Sequence, residues 1–232
     1  MAAFGGQYYL WGNVPALDVL NLKDNEGVND VERDFHLLFA ASGDLRNVIK
    51  SIVGLPDGYK GQCTVAINDK AFTIVARNII LLLVALHFEP ETAVPIMIHL
   101  WYSALLPANM LYSLQQSILP YVEDVCKKIW TTKEGVLQAK TFIIGDSSVR
   151  IVLLKEQWFE LKDFFKVPPR LTKQNADFIR RQTTEAQERI DYVDRAVYMQ
   201  PKGKRAGIMR FRHTGILLPY GASQKDFDTP NP

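Results

Sequence analysis

The chain has 232 residues and a mass of 26.4 kDa, a size that accommodates one large domain or two small ones. Apolar residues make up 47% and charged residues 22%, a mixture typical of soluble globular proteins, which excludes collagen-like, coiled-coil and low-complexity chains. The net charge of +2 provides no general electrostatic attraction to nucleic acid or to a membrane surface.

Two cysteines, Cys63 and Cys126, are too few for a disulfide scaffold or a multi-cysteine zinc module. This cysteine content and the lack of a secretory-signal pattern at the N-terminus indicate a reducing compartment, so we expect a cytoplasmic protein. The longest apolar stretch, Ile79 to Leu86, is far shorter than the roughly 20 residues that span a bilayer. The histidines lack acidic partners at metal-ligand spacing, so we expect neither a membrane segment nor a metal site.

The first predicted strand, Phe35–Ala41, is an almost uninterrupted apolar run. Such a run is typical of a strand covered on both faces, so we expect the central strand of a parallel sheet. The turn residues Ser42-Gly43-Asp44 follow it, and apolar residues at three- and four-residue spacing then predict a helix over 45–53.

A second strand is predicted over Gln62–Ile67, and Asn68-Asp69 stands at its carboxyl end. Ala71 through Phe88 is dense in apolar residues and lacks glycine and proline, which predicts a long, mostly buried helix. Residues 35–88 therefore predict a β-α-β-α order, the opening of a doubly wound, Rossmann-like α/β sheet.

Residues 93–130 are rich in aliphatic and aromatic side chains and are punctuated by Pro95, Pro107 and Pro120. The pattern predicts several short helices packed as a bundle or cap, because proline ends helices or stands in their first turn. No strand is predicted in this stretch.

Two β-branched runs, Lys140–Asp146 and Val149–Leu154, flank a Gly-Asp-Ser-Ser turn and predict a hairpin. Helical periodicity follows over 156–165, and a markedly polar helix is predicted over about 172–198.

Basic residues gather near the C-terminus, between Lys202 and His213. A solvated loop is the favoured interpretation of this stretch, and contact with phosphates of RNA is the alternative. Ala222–Pro232 is polar and predicts a loop or a frayed end. We expect an α/β core over 1–165 with a helical insertion at about 90–130, and a helical and loop extension over 166–232.

The turn between the first strand and helix is the candidate ligand site. In Rossmann-like folds, nucleotides and S-adenosylmethionine bind beyond the carboxyl ends of parallel strands, against helix N-termini. Ser42, Gly43 and Asp44 would hold such a cofactor, and Asp69 would bind its ribose. The loop has a single glycine, however, so a second interpretation stays open: Ser42 or Asp44 caps the helix and Gly43 permits the turn.

Four segments carry a resemblance to a known domain family: Gly12–Asp18, Leu37–Asn47, Ile74–Leu82 and Val149–Trp158. They resemble, in order, a G-N-x-P-A opening, an L-L-L-G-C-G-D-x-R-N loop, an I-A-R-N-hydrophobic helix and a later strand-plus-helix segment. The chain thus resembles a eukaryotic domain family of unknown function. That family occurs at the N-terminus of fungal MYND-zinc-finger proteins and of dynein axonemal assembly factor 3. The MYND finger itself is absent, since two cysteines cannot build it.

The resemblance implies a degenerate methyltransferase-type Rossmann fold with a helical insertion and a helical C-terminal segment. Ala40-Ala41-Ser42 stands where the family has Gly-Cys or Gly-Ser, so the loop has lost backbone room that a cofactor needs. The motif residues then have structural roles: arginines pair with buried carboxylates, and an asparagine holds a neighbouring loop. These residues are Gly12, Asn13, Pro15, Arg46, Asn47, Arg77 and Asn78.

The leading hypothesis is therefore a non-catalytic protein-interaction domain, an adaptor or assembly factor that needs no cofactor and binds other proteins. The alternative is an S-adenosylmethionine-dependent methyltransferase that acts mainly by positioning methyl donor and acceptor.

Overall fold

The computed structural model describes residues 15–25, 27, 31–184, 194–219 and 221–232. The chain divides into two compact units, Met1–Asn78 and Ile79–Pro232. Helices and small parallel and antiparallel sheets occur together, which confirms the predicted mixed α/β class. None of the helices described in these residues is both long enough and apolar enough to cross a membrane.

The first unit contains the predicted β-α-β-α order. Its elements are β1 (Phe35–Ala40), α1 (Arg46–Val53), β2 (Cys63–Asn68) and the beginning of α2 (Phe72–His87). Strands β1 and β2 are parallel and in continuous register from Phe35↔Cys63 to Ala40↔Asn68. This pairing confirms the strand-turn-helix-strand prediction, and it brings the carboxyl ends of the two strands side by side.

The prediction that β1 is a central strand covered on both faces is wrong for the described residues. Within the part of the chain that the structure describes, strand β1 pairs with β2 and with no further strand. Phe35 and Phe39 are buried, whereas Leu38 between them is 71% exposed. The apolar run therefore contains the usual alternation of buried and exposed side chains, because Leu38 lies on the uncovered face of the sheet. Leu20 and Leu22 complete the apolar cluster around Phe35.

The second unit continues with the predicted series of short helices; Pro107 and Pro120 stand at helix starts as predicted, whereas Pro95 interrupts no helix. These helices are α3 (Pro90–Tyr102), α4 (Ala108–Ser117) and α5 (Leu119–Lys128). Pro107 is the N-cap of α4, and Pro120 lies in the first turn of α5. Pro95 is accommodated inside α3.

One strand in this region was not predicted. β3 (Leu105–Pro107) pairs in antiparallel orientation with β6 (Phe227–Pro230), so the C-terminal segment predicted as a loop or frayed end is partly a strand. Buried Leu105 and Phe227 belong to one apolar cluster with Ile216. The pairing joins chain positions more than a hundred residues apart, which local sequence patterns do not report.

The predicted hairpin is present as β4 (Leu137–Ile144) and β5 (Ser147–Leu154), joined by a two-residue turn. Helix α6 (Lys155–Asp163) follows directly and buries Trp158, whose indole N–H donates to the Gln138 carbonyl at 3.1 Å. These elements confirm the predicted periodicity changes, from two residues in the strands to nearly four in the helix.

The polar helix is observed as α7 (Lys173–Thr184), and a helical turn lies at 194–198; the intervening 185–193 are outside the described residues. The basic stretch forms helix α8 (Lys202–Thr214), so its prediction as a loop is wrong. Gly203 and Gly207 weaken the helical signal, but Gly215 ends the helix with φ of +70°, a standard glycine stop.

Candidate functional site

The candidate site is the turn that joins β1 to α1, within the first unit. Ala41 and Gly43 both have left-handed backbone conformations, with φ of +52° and +59°. A Cβ added at Gly43 would meet no atom within 4 Å. Glycine is therefore suited to this position by its backbone conformation and not by a close neighbour. Ala41 has the same backbone conformation but carries a Cβ, which crowds the carbonyl oxygen and makes the conformation unfavourable.

Asp69, predicted to bind a ribose, directs both carboxylate oxygens at backbone N–H groups of its own chain. Its Oδ2 accepts from Gly43 N at 2.8 Å, and its Oδ1 accepts from Ala71 N at 2.9 Å. Ser42 N donates to the Asn68 carbonyl at 3.0 Å, which extends the pairing of the strands into the turn. Asp69 thus fastens the turn after β1 to the start of α2.

Asn78 binds the same turn through the carbonyl group of Gly43. Its Nδ2 donates to the Gly43 carbonyl at 2.7 Å, and the residue is only 3% exposed. The Oδ1 of Asn78 is buried and has no hydrogen-bond partner among the described residues. Both polar atoms of the Gly43 backbone are consequently bonded to side chains of this chain, one to a carboxylate and one to an amide.

Asp44 serves the first turn of helix α1. The residue is 6% exposed; its Oδ1 accepts from the backbone N–H of Arg46 at 3.2 Å, and its Oδ2 lies 3.7 Å from Arg46 Nη1. A carboxylate at a helix N-terminus is favoured because the free N–H groups there carry partial positive charge. Ser42 Oγ donates to the Gly43 carbonyl at 3.3 Å.

One face of helix α1 anchors the segment that precedes β1. Asn47 Oδ1 accepts from Leu17 N, and Ser51 Oγ accepts from Val19 N, both at 2.9 Å. Ser51 was not among the predicted site residues, although it is fully buried and its own hydroxyl also donates to the Asn47 carbonyl. Its only sequence signal is a polar residue three positions after the core residue Val48.

The remaining motif residues are not all brought to the turn. Pro15 is exposed in the N-terminal segment, and Arg77 is half-buried in α2 beside Asn78. Gly12 and Asn13 lie outside the described residues.

Burial raises the pKa of the Cys63 thiol. Burial is also the largest of the effects that raise the pKa of the Cys126 thiol. A raised pKa disfavours the thiolate, which is typical of structural and not of nucleophilic cysteines. Within the described part of the chain, no three His, Cys, Asp or Glu side chains are grouped so that they could hold a metal ion. The arrangement around Gly43 can fix the conformation of a loop, because the donors and acceptors there are hydrogen-bonded to one another.

Residues 10–106 match the model of a domain family described as a domain of unknown function, DUF4470. The matched interval includes the Gly43 turn together with Asp69 and Asn78. No curated protein and no solved structure matches the sequence. The chain is therefore similar, over residues 10–106, to an uncharacterised domain family.

Proposed function

We propose that the chain is a non-catalytic protein-interaction domain, an adaptor or assembly factor of the cytoplasm, built on a degenerate methyltransferase-like Rossmann scaffold. One observation carries the proposal. The groups that would receive a cofactor in such a fold, the Gly43 backbone and the Asp69 carboxylate, are bonded to each other at 2.8 Å.

A ligand that used these groups would have to replace existing hydrogen bonds. Asp69 would surrender bonds to two N–H groups, at 2.8 and 2.9 Å, before it could accept from a ribose hydroxyl. Each exchange of one hydrogen bond for another yields little net free energy, about 1 kcal/mol or less. Binding would therefore gain little from the residues that normally give such sites their affinity.

The resemblance to the domain family of dynein axonemal assembly factor 3 supports an assembly role in preference to group transfer. The parallel β1-α1-β2 unit supports the Rossmann-like scaffold, because its turn lies where these folds bind ligands. On this proposal, the turn is retained for its shape and serves to join β1, α1 and α2.

A functioning S-adenosylmethionine-dependent methyltransferase is the second candidate. The observation that favours it is the placement of a left-handed glycine at the end of β1 and an acidic residue at the end of β2. In that enzyme Ser42, Gly43 and Asp44 would hold the methionine portion, and Asp69 the ribose.

Calorimetric titration with S-adenosylmethionine distinguishes the two candidates. We expect no heat of binding with millimolar ligand for the wild-type chain. A micromolar Kd that is lost in Asp69→Ala, while the far-UV circular dichroism spectrum is unchanged, would refute the non-catalytic role. Asp57→Ala is the matched control, since Asp57 is an exposed carboxylate in the loop between α1 and β2.

A further inference from the structure

The second unit contains an open groove of about 590 Å³ between strand β4 and helices α4 and α5. Five consecutive strand residues, 140–144, line one wall, and the opposite wall includes Gln116, Pro120 and Tyr121. Successive side chains of a strand point to opposite faces. A wall made of five residues in succession therefore follows the edge of the strand, where its backbone is accessible.

The hairpin register determines which backbone groups occupy that edge. Ile144 and Ser147 flank the two-residue turn and form the first cross-strand pair. In such hairpins the flanking pair is hydrogen-bonded, and every second pair after it is too. The bond from Lys155 N to the Val136 carbonyl, 3.1 Å, continues the same alternation beyond the strand ends. Even-numbered residues of β4 thus bond to β5.

The odd-numbered residues Ala139, Thr141 and Ile143 direct their N–H and C=O groups away from β5. Among the residues that the structure describes, β4 pairs with β5 and with no further strand. Ile143 is also 79% exposed. An edge with free donors and acceptors at alternate residues is a template for another extended chain.

The floor of the groove is aromatic and carries a cation. The rings of Tyr121 and Phe142 meet edge to face at 5.5 Å, and the Tyr121 hydroxyl lies 3.0 Å from His87 Nδ1. Lys140 Nζ stands 5.8 Å from the centre of the Phe142 ring. The described residues give Lys140 no carboxylate partner, whereas Lys128, on the helix wall, is paired with Asp124 at 3.4 Å.

We propose that this groove binds an extended acidic segment of another protein, which adds as a third strand to the free edge of β4. An Asp or Glu of that segment lies against the Lys140 ammonium, and a neighbouring apolar side chain covers the half-buried ring of Tyr121. The inference rests on the proposed interaction role and assigns it a surface and a partner chemistry.

Charge selects this occupant over a second copy of the chain. Strand β4 has the sequence LQAKTFII, which contains no carboxylate and contributes the same lysine. Two copies joined edge to edge would therefore add a second Lys140 and no counter-charge. A free small anion could neutralise Lys140, but it would leave the alternate backbone groups of the edge unused.

The test uses a displayed library of peptides about nine residues long, enough for a strand and its flanks. The library is selected on the wild-type chain, and the enriched peptides are resynthesised for fluorescence anisotropy. We expect a central Asp or Glu between alternating β-branched residues. Enriched peptides without a carboxylate, or no enrichment at all, would overturn the proposal.

Two variants and one control locate the peptide. Thr141→Pro removes an outward N–H and should weaken binding by at least about tenfold, whereas Ser148→Pro, on the opposite edge of the hairpin, should not. Lys140→Met should weaken binding about tenfold for the acidic peptide, and should leave a peptide with Asn in place of Asp unaffected. Circular dichroism establishes that both proline variants are folded.

Equal binding to wild-type and Thr141→Pro chains would contradict strand addition. S-adenosylmethionine titration of the same sample separates this proposal from the preceding one. Absence of peptide binding together with absence of cofactor binding overturns the groove assignment alone. Micromolar cofactor binding overturns the non-catalytic role, whatever the peptides do.

Discussion

The Asp69 carboxylate accepts a hydrogen bond from the backbone N–H of Gly43 at 2.8 Å, across the carboxyl ends of two parallel strands. The same carboxylate accepts from Ala71 N, so it connects the turn after β1 to the start of α2. Its environment makes Asp69 a structural connector, and this relationship determines how the chain should respond to substitution.

Removal of the Asp69 carboxylate should destabilise the chain. Asp69→Ala leaves the N–H groups of Gly43 and Ala71 without their acceptor, and we expect the free energy of unfolding to fall by about 2 kcal/mol. Urea denaturation followed by circular dichroism measures the change. Asp57→Ala, which removes an exposed carboxylate, should shift the free energy by no more than about 0.5 kcal/mol. Equal stability of the two variants would contradict a structural role for Asp69.

The left-handed backbone at Ala41 predicts opposite effects for two substitutions. Ala41→Gly relieves the steric cost of a φ of +52°, and should raise the free energy of unfolding by up to about 1 kcal/mol. Ala41→Val places a branched side chain in the same conformation and should lower it by about 1 to 2 kcal/mol. Thermal unfolding compares the pair. The reverse order of melting temperatures would indicate that Ala41 is not held in this conformation.

His99 should make stability depend on pH. Burial lowers the pKa of this histidine, whose Nδ1 lies 3.0 Å from Ser103 Oγ. Because the unfolded chain then binds a proton more readily than the folded one, the free energy of unfolding should decrease as pH falls below about 6.5.

Urea denaturation between about pH 7.5 and about pH 5 measures this dependence. His99→Gln keeps a polar side chain beside Ser103 and cannot titrate, so its dependence on pH should be shallower than that of the wild type. His36→Gln is the control, since it makes the same substitution at an exposed histidine in β1. If the free energy of unfolding changed with pH equally in His99→Gln and in the wild type, His99 would not be the source of the pH dependence.

The order of strands and helices in the first unit was predictable from sequence because the signals for it are local. Apolar spacing marked β1, α1 and β2, and Gly43 lay at the left-handed turn where a single glycine was expected. The same signals could not report the hydrogen-bond partner of Asp69. A carboxylate at the end of a strand can face a ligand or a neighbouring loop, and only the three-dimensional contacts distinguish the two.

The second unit shows where local patterns fail. Strand β6 is short and contains Pro230, so it resembles a loop until its partner β3 is known. Helix α8 includes two glycines, and its sequence resembles a basic loop. Both segments make contacts with distant parts of the unit: Asn231 Nδ2 donates to the Ser103 carbonyl at 2.8 Å, and Arg180 Nη2 donates to the His213 carbonyl of α8 at 3.1 Å.

The central claim is that Asp69 and Asn78 hold the Gly43 turn through hydrogen bonds within the chain. The exchange rate of the Gly43 backbone N–H tests it most directly. Amide hydrogen exchange followed by NMR should find this N–H slow to exchange in the wild type and fast in Asp69→Ala, with its chemical shift unchanged by millimolar S-adenosylmethionine. Rapid exchange in the wild type, or a shift of the Gly43 resonance that saturates with S-adenosylmethionine, would contradict a turn whose backbone groups are hydrogen-bonded to Asp69 and Asn78.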